Sequence, residues 1–215
     1  TELSVTSSTV TAVRASQAAV MDISSSTWTM SAPITANNLT LSSVTWTGTH
    51  SVTVGHSLLL ESTTFTSSNG PITSAYMSID SASQLKSTDQ TTGSLTLAVQ
   101  VLHLAGAIVA GTGVFSVGDS VVVTSGSVTV AQQLTYSGTL LHLDNSFSCS
   151  NIGCLVSVSM QSALDMAGSA RIEASTVRVT AGAVSLAGSS NLYANGRGSA
   201  PSAGDGVGAA ASSGG

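Results

Sequence analysis

The residues best spaced for chemistry are two carboxylates, Glu61 and Asp80, which directly follow the apolar pairs Leu58/Leu60 and Met77/Ile79. If those pairs stack, the carboxylates lie about 5 Å apart at the backbone. Such a pair can cleave a glycosidic bond or share a calcium ion. The equivalent positions Ser24, Ser42, Ala98 and Gly118 add no ligand, so a solvated pair is the competing reading. Asp119 and Asp144 suit turns, where Asp bonds its own backbone. His50 and His56 flank a bend, His103 and His142 lie in apolar runs, and no Ser/His/Asp spacing defines a nucleophile. The Gly-rich C-terminal stretch carries no Lys-Ser or Lys-Thr to hold a phosphate. These residues read as a non-enzyme without a cofactor or resident metal.

Cys149-Ser-Asn-Ile-Gly-Cys154 holds both cysteines. Zinc wants four ligands, and the histidines show no matching spacing. The spacing predicts a small disulfide clipping a loop, which implies an oxidising compartment; two buried free thiols are the alternative. Asn38-Leu39-Thr40 is the one N-glycosylation sequon and points to the same secretory route.

Composition narrows the classes. Only 7% of the 215 residues are charged and 42% are hydrophobic, a balance that excludes a disordered chain. Abundant Val and Thr favour strands. A net charge of −5 without a basic cluster argues against nucleic acid and anionic membranes as partners. Ser94 to Gly118 lacks charge, but its Gln, His, Thr, Ser and Gly suit buried strands better than a membrane span. No signal peptide precedes Thr1, and the expectation is an excised piece of a longer precursor.

The elements that position these residues repeat. An apolar pair with a one-residue gap recurs as Met21/Ile23, Leu39/Leu41, Leu58/Leu60, Met77/Ile79, Leu95/Leu97 and Phe115/Val117. Successive second members are 18, 19, 19, 18 and 20 residues apart. Five residues later come Trp28, Trp46, Phe65, Gln84 (with Leu85 beside it), Leu102 and Val122. A fixed period of this length marks a stacked repeat, and it is too short for a βαβ unit. The fold expected is all-β: a right-handed parallel β-helix with rungs of roughly 18–22 residues. Residues 1–20 form an irregular or capping rung, 21–194 the solenoid body, and 195–215 a Gly/Ser/Ala-rich segment running into further chain. Trp28, Trp46, Phe65, Leu102 and Val122 form one interior column. Val101, His103, Val121 and Val123 then face outward as an apolar strip that wants a partner.

Thr27-Trp28-Thr29, Thr45-Trp46-Thr47 and Thr64-Phe65-Thr66 place threonine on both sides of each ring. These rows resemble the threonine faces of ice-binding solenoids. Ala194-Asn195-Gly196, and the glycine-studded sequence ending Ser212-Ser213-Gly214-Gly215, resemble the Gly-rich rungs of secreted right-handed parallel β-helix proteins, adhesin-like and pectin-lyase-like. That resemblance implies a secreted, surface or matrix role and transfers no catalytic residue. The leading functional expectation is a structural component of an extracellular fibre, sheath or adhesin, self-associating into oligomers or filaments or joining other matrix proteins and glycans. A carbohydrate-binding or carbohydrate-cleaving β-helix using Glu61/Asp80 is the alternative, and ice or surface binding through threonine ladders the second.

Overall fold

The computed structural model describes residues 1–12, 14, 16–68, 70–149 and 151–194. Those residues hold nineteen strands and no helix, stacked in parallel as a β-solenoid of about nine turns. Alternation explains each strand. In Thr27–Met30, Trp28 and Met30 point inward while Thr27 and Thr29 face out.

Each turn has three faces. The first is a short strand such as Thr27–Met30, Thr45–Gly48 or Thr64–Ser67. The second and third are the halves of a longer strand such as Val52–Glu61, which bends where its register shifts between Val54 and Ser57. Residues Glu2–Thr6 and Thr9–Ala12 pair in register with the next turn and complete the first.

Inside, side chains stack in files. On the first face the file runs Val10, Trp28, Trp46, Phe65, Leu85, Ile108, Val128, Phe147 and Ile172. The Trp28 and Trp46 rings are 5.7 Å apart and 6° from parallel, and Trp46 and Phe65 are 5.3 Å apart at 9°. Such pairs add about 0.5–1.5 kcal/mol each beyond area burial. The file beside it narrows to match: a Cβ on Gly48 would lie 2.9 Å from the Trp46 indole nitrogen.

The corners leading into the first face are serines. Ser7, Ser25, Ser43 and Ser62 all have positive φ, between 48° and 57°. This left-handed backbone costs a side chain about 1–2 kcal/mol. Hydrogen bonds between turns hold it: Ser7 N–H donates to the Ser24 carbonyl, Ser25 to Ser42, and Ser43 to Glu61, at 2.8–3.1 Å. Buried Ser26, Thr63 and Ser83 accept the remaining inward N–H groups from Ser8, Val44 and Thr63.

At the fifth turn the cross-section changes. Thr88 to Gly93 form an inserted loop held by the Asp89 carboxylate, which accepts from the N–H and hydroxyl groups of Thr91 and Thr92. These bonds hold Asp89 well below the usual carboxylate range. The second face also gains Leu95. Met77/Ile79 are therefore followed in their files by Leu102/Leu104 and then Val121/Val123, not by Leu95/Leu97 and Phe115/Val117. Leu97 and Phe115 instead extend the second-face file above Ile72.

Two sequence-based expectations fail here. Leu102 is buried but lies on the third face, outside the ring file, and Val122 points outward. Val121 and Val123, expected outside, are 1% and 0% exposed within the core. Val121 lies four residues beyond inward-facing Val117 and keeps its parity across the register shift between Val117 and Ser120, which leaves Val122 outward. Upper corners rely on glycine, since a Cβ on Gly106 would meet the Asp80 and Ser83 carbonyls at 2.2 and 2.4 Å.

Candidate functional site

The carboxylate pair is a corner, not a cleft. Asp80 occupies the position where the serine corners have a carbonyl, and its two oxygens accept the Ser62 N–H at 3.1 Å. Oδ1 also accepts the Ala82 N–H at 3.1 Å. Glu61 is exposed, and its carbonyl serves the Ser43 corner and the buried Thr63 hydroxyl. Asp80 thus holds its carboxylate against the backbone N–H groups of the corner.

Cys149 and Cys154 are both buried free thiols, close enough for a side-chain hydrogen bond. Burial, and then the Cys154 thiol, push the Cys149 thiol well above its ordinary value. Ser175 Oγ secures the 149–154 loop by accepting the Gly153 N–H at 3.0 Å and donating to the Asn151 carbonyl at 3.3 Å. Asn38 sits mid-strand and half-buried, with its carboxamide oxygen accepting the Ser57 hydroxyl at 2.9 Å.

One cluster was not legible from spacing. His142 Nδ1 lies 2.8 Å from Asp165 Oδ2, and its Nε2 lies 3.7 Å from Asp144 Oδ2. All three are half-exposed. Neither these three nor any other group of His, Cys, Asp and Glu among the described residues is arranged so that it could hold a metal ion. A shallow hollow of about 210 Å³ lies over Thr1, Gln17, Ala19, Thr35 and Asn37. It is below the size of an ordinary ligand pocket, and no acid or histidine lines it.

The surface rows are more informative than any cavity. On the third face one outward row runs Asn38, Ser57, Tyr76, Val101, Ser120, Leu140. Its neighbour runs Thr40, Leu59, Ser78, His103, Val122, His142, Asp165. Leu59, Tyr76, Val101, Val122 and Leu140 thus make an outward apolar strip over adjacent turns, flanked by His103 and His142. Val101 is part of this strip and His103 lies beside it, whereas Val122 and Leu140, not Val121 and Val123, continue it.

These features define a parallel β-solenoid with a patterned exterior. No helix among the described residues is long and apolar enough to cross a membrane. No protein-family model, curated protein or solved structure matches the chain.

Proposed function

We propose that this chain is a structural module of an extracellular fibre, sheath or adhesin, in which solenoids associate side by side through the third face. The carrying observation is the strip of Leu59, Tyr76, Val101, Val122 and Leu140, apolar and outward on consecutive turns. A flat strip of this kind matches a second copy of itself, since both present the same turn spacing. Scarce charge favours such association because little desolvation opposes it. Secretion fits the paired thiols, which an oxidising compartment would close into a disulfide.

Light scattering and negative-stain micrographs over a concentration series test the reading. Dimers or laterally joined rods are expected for the native chain, and monomers for Val122→Lys with Leu140→Lys. A native chain that stays monomeric throughout, or association unaffected by both lysines, overturns it.

A further inference from the structure

Four successive turns place threonine at both outward positions of the first face: Thr9/Thr11, Thr27/Thr29, Thr45/Thr47 and Thr64/Thr66, in unbroken register. The first of these pairs extends the three-turn row that the ring positions mark. Behind the rows, the nearly parallel rings of Trp28, Trp46 and Phe65 keep the turns level. None of the eight hydroxyls bonds to another described side chain or carbonyl. No charge enters the rows until Lys86 on the fifth turn.

Sites for discrete small ligands are concave and carry convergent polar groups. This face is flat and uncharged, so it suits a ligand that repeats at its own interval. Its hydroxyls recur about every 4.8 Å from turn to turn and about 6.7 Å along the strand. Water bonded tetrahedrally at about 2.75 Å between oxygens has second neighbours about 4.5 Å apart. The mismatch is about 0.3 Å per turn, or about 1 Å over four turns, so a row this short stays in step. We propose that the eight threonines bind the ordered water of an ice surface. The proposal uses the first face only and is independent of association through the third.

The test is ice growth in the presence of the full chain, read as thermal hysteresis and as recrystallisation rate. Faceted crystals, a gap between melting and freezing, and slowed recrystallisation are expected. Thr45→Tyr with Thr47→Tyr should remove all three, while Thr35→Tyr with Thr53→Tyr on the second face should remove none. Circular dichroism confirms the fold of each variant, and Thr45→Lys with Thr47→Lys serves if the tyrosines disturb it. A native chain without effect on ice overturns the proposal. So does a first-face variant as active as the native chain, or a second-face variant that loses as much.

Discussion

The first four turns and the later ones solve the same stacking problem with different corners. Below Asp80, turns take 18 or 19 residues, corners are left-handed serines, three near-parallel rings stack in the first-face file, and the first face is threonine. Above it, the step from Ile79 to Leu104 takes 25 residues and the corners at Gly106 and Gly126 are glycine. Apolar residues such as Val101, Val109, Val114 and Val122 also move to the outside. The vertical hydrogen-bond ladder tolerates both designs. Corner chemistry, not strand propensity, sets the size of the cross-section, and a corner must agree only with those directly above and below it.

The largest expected effect tests the ring file. Trp46→Ala leaves a void between Trp28 and Phe65 and should cost about 3–5 kcal/mol in denaturant unfolding. A loss no greater than that of Val128→Ala in the upper part of the same file would remove the distinction between the halves. Next come the corners. Gly106→Ala drives a Cβ into two carbonyls and should destabilise by about 1–3 kcal/mol. Ser25→Gly should do the opposite, gaining about 0.5–1 kcal/mol as relief of the left-handed strain exceeds the added chain entropy. Equal signs at the two positions would mean that the corners do not differ in kind.

The smallest effect concerns the junction loop. Asp89 has a depressed folded pKa, so its contribution is present above the unfolded carboxylate value, about 4, and is lost as pH falls below it. Native and Asp89→Asn chains should differ in thermal midpoint at pH 6 and converge on acidification. A difference that persists unchanged at pH 2 would show that the carboxylate is not what orders Thr91 and Thr92.

The lower half was readable because Met21, Leu39, Leu58 and Met77 keep an almost constant interval, and the residues seven positions after the first three (Trp28, Trp46 and Phe65) stack, while after Met77 the file takes Leu85, eight positions on. Counting fails at Asp89, because an insertion of six residues looks the same as the approach of another turn. Leu95/Leu97 mimic the apolar pair while belonging to a different face. Val122 fails for a separate reason, since a strand written Val121-Val122-Val123 carries no alternation to show which member points inward. The Asp165 partner of His142 lies 23 residues away, across two irregular corners. Side-chain chemistry at such a distance depends on a register that no local pattern records. The carboxylates Glu61 and Asp80 were placed correctly in adjacent turns, yet their slot is a corner, where hydrogen bonding to backbone takes precedence.

Because each turn bonds only to its immediate neighbours, load applied along the chain has no distant crosslink to share it. Coils should peel away singly, each releasing about 65 Å of slack from roughly 19 residues of extended backbone. The rod would then lengthen in discrete steps under tension and rewind from whichever coil survives, as a reversible spring does.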